Sequence, residues 1–165
     1  MAWKEDSFYF DKTAELARRA LARGDDGFAA VLVGENGEIM MEQGNMAGTD
    51  RDPTAHDAIL LARRAAKTYP KNELQKCTMY ALVEPCVMCM GAVFWTGIGA
   101  VKFAMSEKRL GEILPGGLDI SSEEFARRSP SPIRVEGPYP EYKPAESIVK
   151  DWVRSLNIPG LVVDD

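Results

Sequence analysis

Apolar positions along the chain change period several times, and each change marks a predicted element. Over residues 11–23, Ala14, Leu16, Ala17, Ala20 and Leu21 form one stripe at helical spacing, with Gly24 as a natural stop. An amphipathic helix is predicted there. Residues 28–33 and 38–42 are strand-like runs separated by Gly34-Glu35-Asn36-Gly37, which predicts a β-hairpin. Residues 44–53 are polar and rich in turn formers and read as loop. Thr54 then caps a predicted helix over about 55–67, with His56 in its first turn. Residues 78–83 read as a buried strand. Pro85 opens a second helix through about residue 95 and places Cys86 and Cys89 in its first turn. A strand over 100–104, a glycine-rich loop over 111–117 and a short strand over 133–136 follow. Ile148, Val149, Trp152, Val153 and Leu156 then restore helical period, ahead of Pro159-Gly160 and an apolar, acid-capped tail.

Strands alternating with helices predict an α/β layered fold, and 165 residues fit one domain spanning 1–165. No internal repeat is visible. Hydrophobic residues at 45% and charged residues at 27% are ordinary globular usage and exclude a disordered or fibrous chain. The net charge of −5 weighs against strong binding to a phosphate backbone and favours a small-molecule partner. Arg18, Arg19 and Arg23, like Arg63, Arg64 and Lys67, have the spacing of solvated helix faces. The N-terminus lacks the apolar stretch of a signal peptide, and no run approaches the ~18 apolar residues of a membrane span. A cytoplasmic protein with no membrane partner is expected.

The chemistry concentrates in three residues. Three cysteines make a disulfide framework a poor explanation, and two of them form Cys86-Val87-Met88-Cys89. Alone, that spacing fits a redox pair, two buried small side chains or a metal site. The single histidine of the chain, His56, opens the preceding helix, and neither a redox pair nor core packing accounts for it. Two thiolates and one imidazole match a catalytic zinc site, which keeps three protein ligands and an open fourth position. The helix N-terminus favours the thiolates. Cys77 has no partner spacing and reads as a buried structural thiol.

Asp52-Pro53-Thr54-Ala55-His56, with Glu84-Pro85-Cys86-Val87-Met88-Cys89 about thirty residues on, resembles the cytidine deaminase superfamily, whose signature pairs His-x-Glu with Pro-Cys-x-x-Cys. The likeness covers most of the chain and is strongest towards guanine deaminases and bacterial tRNA adenosine deaminases. It implies a three-layer α/β/α fold around a central mixed five-stranded sheet. It also implies Zn2+ on His56, Cys86 and Cys89 as the only cofactor, hydrolytic loss of ammonia from a purine-like base, and a homodimer. Here the order is His56-Asp57-Ala58, so Ala58 stands where the resemblance places the proton-shuttling glutamate. Asp57, one position early on a helix, is expected to point away from the pocket, and Glu84 is expected to be structural. Ala58 is read as a glutamate-to-alanine change that leaves this chain nearly inactive, or alternatively as native to a pseudoenzyme.

By the same resemblance Phe28, Asn45, Ala55, Trp95, Asp151 and Trp152 are candidate substrate contacts. Phe28, Trp95 and Trp152 also read as core aromatics, Asn45 as a turn residue and Asp151 as a solvated charge. The small heterocyclic base is preferred over nucleic acid, with a tRNA adenosine deaminase as runner-up. A zinc-containing ligand-binding protein without catalysis is the reading from another class.

Overall fold

The structure is a computed structural model that describes residues 5–165. Residues 1–4, part of the segment read as lacking a signal peptide, lie outside the described residues. The chain runs α1(Asp6–Arg23), β1(Ala29–Val33), β2(Ile39–Gly44), α2(Ala47–Asp50), α3(Asp57–Thr68), α4(Lys71–Leu74), β3(Thr78–Val83), α5(Val87–Thr96), β4(Ala100–Met105), α6(Glu107–Ile113), α7(Ser122–Arg128), β5(Arg134–Glu136) and α8(Lys143–Ser155).

The hairpin forms where alternation and the Asn36-Gly37 turn place it, β1 pairing antiparallel with β2. β1 also pairs antiparallel with β3, whereas β3–β4 and β4–β5 are parallel, giving one mixed sheet in the order β2-β1-β3-β4-β5. β1 and β3 are buried along their whole length because helices cover both faces. One face packs Tyr9, Phe10, Ala14 and Ala17 of α1 with Ile148, Val149 and Trp152 of α8. The other packs Leu61, Ala62 and Ala65 of α3 with Met90 and Val93 of α5. This is the expected three-layer α/β/α architecture around a mixed five-stranded sheet. No helix among the described residues is long and apolar enough to cross a membrane.

Helix starts differ from the sequence reading in a way that shapes the site. His56 is the N-cap of α3, in extended conformation at φ −71° and ψ 149°, rather than a residue of its first turn. Thr54 does not cap the helix, because its hydroxyl donates to Asp52 Oδ1 at 2.7 Å. Cys86 is likewise the N-cap of α5, at φ −64° and ψ 169°. Residues 44–53, expected as loop, include the short helix α2. Part of the glycine-rich stretch is helical too, since α6 runs on through Gly111.

Candidate metal centre and cavity

Strands β3 and β4 end side by side, joined by Glu84 N–H donating to the Met105 carbonyl at 2.8 Å. Crevices at the carboxyl ends of parallel strands are where α/β sheets place their sites. Cys86 and Cys89 follow β3 directly, and His56 arrives from the start of α3. The His56 Nδ1 lies 3.6 Å from Cys86 Sγ and 3.7 Å from Cys89 Sγ. A tetrahedral zinc with Zn–S of about 2.3 Å and Zn–N of about 2.0–2.1 Å requires S···N separations of about 3.6 Å. The three ligand atoms therefore already stand at zinc-site spacing, and they form a metal-ligand cluster that does not include Asp57.

Charge is arranged to suit a cation. A hydrogen bond from the Cys89 thiol, then the nearby His56, hold Cys86 well below the usual thiol range, while the same shared proton and burial push Cys89 up. A divalent ion replaces that shared proton and lets both sulfurs ionise. Contact with Cys86 in turn raises the basicity of His56.

A cavity of about 690 Å3 borders all three ligands. Phe28, just before β1, and Trp152 of α8 face it, meeting edge to face with ring centroids 4.8 Å apart. Ala58 lies on its wall, 2% exposed. Asp57 is there as well, against the expectation that it points away: it is buried and lines the same cavity. At the first position of α3 its carboxyl turns onto the helix's free N–H groups, and the residue borders the cavity beside Ala58. Burial pushes the Asp57 carboxyl up to about 6, opposed by the nearby His56 and by the backbone N–H groups of Asp57 and Ala58. Glu84 is structural as expected. Its Oε1 accepts from the Ser122 N–H (2.7 Å) and hydroxyl (2.6 Å), and its Oε2 from the Glu107 N–H (2.9 Å).

The remaining candidates divide. Asn45 is 1% exposed and sits behind the wall. Its carboxamide oxygen accepts the backbone N–H of Asp26 (3.2 Å) and of Ala47 (2.9 Å), and its Nδ2 is buried without a partner. Ala55 is buried beside it, its carbonyl accepting the Met46 N–H at 3.0 Å. Trp95 is neither core nor cavity wall: it is 80% exposed on α5 and packs against Phe94. Asp151 is exposed, outside the cavity wall, and paired with Arg154. Among the cavity residues that escaped the sequence reading are Asp26 and Glu107. Burial, reinforced by the charges of Cys86 and Glu84, pushes the Glu107 carboxyl up to about 7. The position of Glu107, just past the end of a parallel strand and after the capping Ser106, was the available signal.

Residues 3–105 match the family model described as the cytidine and deoxycytidylate deaminase zinc-binding region. The chain is 34% identical over 145 residues to a probable cytosine deaminase of Schizosaccharomyces pombe, covering 84% of this chain and 86% of the relative. It is 37% identical over 99 residues to a tRNA-specific adenosine deaminase of Haemophilus influenzae, covering 60% of this chain and 57% of the relative. A solved guanine deaminase from Nitrosomonas europaea superposes with a TM-score of 0.71 at 22% identity, over 92% of this chain and 86% of that one, and so shares the fold.

Proposed function

Because the chain belongs to the cytidine and deoxycytidylate deaminase family, we propose that it is a zinc-dependent aminohydrolase of a purine-like nucleobase or related amino-heterocycle, converting a ring amine to a carbonyl with release of ammonia. The observation that carries the substrate class is the charge of the cavity wall. Asp26, Asp57, Glu84, Glu107, Glu112 and Asp119 line it against one lysine, Lys108, and no arginine. A phosphate would meet like charge there, whereas a neutral or cationic heterocycle would not. The volume also falls within the roughly 300–1,000 Å3 of small-molecule sites.

A zinc ion held by these three ligands would supply an acidified water as the nucleophile. His56, Cys86 and Cys89 hold the ion, and Phe28 and Trp152 offer an apolar wall to a flat ring. Ala58 presents a methyl group where the family signature has a glutamate, so no side chain at that position carries protons from water to ring nitrogen and leaving amine. The chain as given is therefore slow, and Ala58→Glu is expected to raise turnover by roughly 10²–10⁴-fold, the usual contribution of general acid–base catalysis. A homodimer belongs to this reading, and a monomer by light scattering would count against that part.

The test is ammonia release by the zinc-loaded chain and its Ala58→Glu variant across purines, pyrimidines, their nucleosides, pterins, triazines and tRNA. Turnover of a free base by the variant supports the proposal. Turnover confined to tRNA, with salt-sensitive binding, moves the assignment to a tRNA adenosine deaminase, the reading that the Haemophilus influenzae likeness favours. Silence in both forms, with zinc bound, moves it to a zinc-containing binding protein.

A further inference from the structure

We propose, resting on the deaminase reading above, that Asp26 determines substrate specificity by accepting a hydrogen bond from an N–H of the heterocycle other than its reacting amine. The sequence Gly24-Asp25-Asp26-Gly27 sets two carboxylates at the turn from α1 into β1, and the structure gives them different tasks. Asp25 is 2% exposed and fully engaged. It accepts from the Thr49 N–H (2.6 Å), the Thr49 hydroxyl (2.8 Å) and Arg23 Nε (3.1 Å). Asp26 faces the cavity. Its Oδ1 accepts from Trp152 Nε1 at 3.0 Å, and its Oδ2 has no hydrogen-bond or ion-pair partner among the described residues.

Two fixed contacts orient Asp26 on the wall. Trp152 fixes one carboxylate oxygen, and the Asn45 carboxamide fixes the backbone by accepting the Asp26 N–H. The remaining oxygen is held in place without a task. Asp57 is turned onto the N-terminus of α3, and Glu84 is engaged by Ser122 and Glu107. Trp152 also forms the aromatic wall with Phe28, so a ring lying against that wall meets the free oxygen of Asp26 at its edge.

A ring seated there strips water from a carboxylate oxygen. A substrate with an N–H at that edge replaces the lost water with a charge-assisted hydrogen bond, and one without it leaves the oxygen unpaired. Sites built this way reject the analogue that lacks the donor far more strongly than apolar pockets reject an extra methylene. Discrimination of roughly 10–100-fold is expected from one such bond.

The experiment is equilibrium dialysis of the zinc-loaded chain with pairs of bases that differ by one N–H and keep the reacting amine: guanine against 1-methylguanine, guanine against 9-methylguanine, and cytosine against 1-methylcytosine. The unmodified chain is expected to favour the donor-bearing member of at least one pair by roughly 10–100-fold. Asp26→Asn keeps an oxygen for Trp152 and replaces the free acceptor by a donor, so the preference should collapse to within about threefold, with zinc content and urea midpoint unchanged. The comparison of ligands on the unmodified chain does not depend on that variant folding. Bases that bind with no preference in any pair, or a preference that survives Asp26→Asn, would overturn the assignment of Asp26 while leaving the deaminase reading standing. Failure to bind any base would overturn both.

Discussion

Replacing Glu84 by alanine should destabilise the protein strongly, although Glu84 is not among the clustered metal-ligand residues. Its side chain is 7% exposed and receives three hydrogen bonds, two from Ser122 and one from the Glu107 N–H. It thereby ties the end of β3 to the first turns of α6 and α7. Ser122 is 1% exposed, so water cannot take over its N–H and hydroxyl. Each orphaned buried donor costs about 1–3 kcal/mol, and bonds to a charged group lie at the upper end. Glu107 is half-buried and recovers part of its loss from solvent. Allowing for non-additivity among neighbours, Glu84→Ala should cost about 3–5 kcal/mol, a large share of the roughly 5–15 kcal/mol that stabilises a domain. Glu84→Gln keeps one acceptor oxygen for Ser122 and should cost about half as much. Urea unfolding of the zinc-loaded proteins, followed by circular dichroism, measures both. A loss below about 1 kcal/mol for the alanine variant, or equal losses for the two variants, would refute the reasoning from orphaned donors.

Other consequences follow from named contacts. Removing an outer-shell partner of a metal ligand typically costs 10–100-fold in affinity, so Cys89→Ala should lose more than about 100-fold in zinc affinity. Cys77→Ser should leave zinc stoichiometry unchanged, because the Cys77 thiol points to the Glu73 carbonyl at 3.4 Å; metal analysis after dialysis reads both variants. Arg109 grips Glu146 with two hydrogen bonds, at 2.7 and 3.2 Å, and holds its carboxyl at about 2 against an ordinary 4.5. The folded pKa is depressed, so this contribution is complete above pH 4.5 and is lost as pH falls towards 2. Melting temperature against pH should therefore drop more steeply in that window for the unmodified chain than for Glu146→Gln, and parallel curves would contradict the pairing. A Cβ on Gly99 would overlap the Gln75 carbonyl, so Gly99→Ala should destabilise by about 1–3 kcal/mol in urea titrations.

Local signals made the metal ligands legible: Pro-Cys-x-x-Cys and a lone histidine at a helix start are written over a few residues each. The hairpin, β3 and α8 were legible for the same reason, since alternation and helical period report burial directly. Helix N-caps were not. His56 and Cys86 both read as first-turn residues and both turn out to be extended N-caps. Asp26 and Glu107 went unread because their meaning is mainly long-range. Asp26 matters through Trp152, 126 positions away in sequence, and Glu107 through the parallel pairing of β3 and β4. Trp95 misled in the other direction. Its helix is apolar on nearly every face, so periodicity could not show which side is left uncovered.

The most direct test of the account is zinc K-edge X-ray absorption on the purified protein, with the metal content measured on the same sample. One zinc per chain, with two sulfur neighbours at about 2.3 Å and two nitrogen or oxygen neighbours at about 2.0 Å, is the predicted result, the fourth neighbour filling the open position. A shell of three or four sulfurs, or no stoichiometric zinc in folded protein, would contradict a centre built from His56, Cys86 and Cys89.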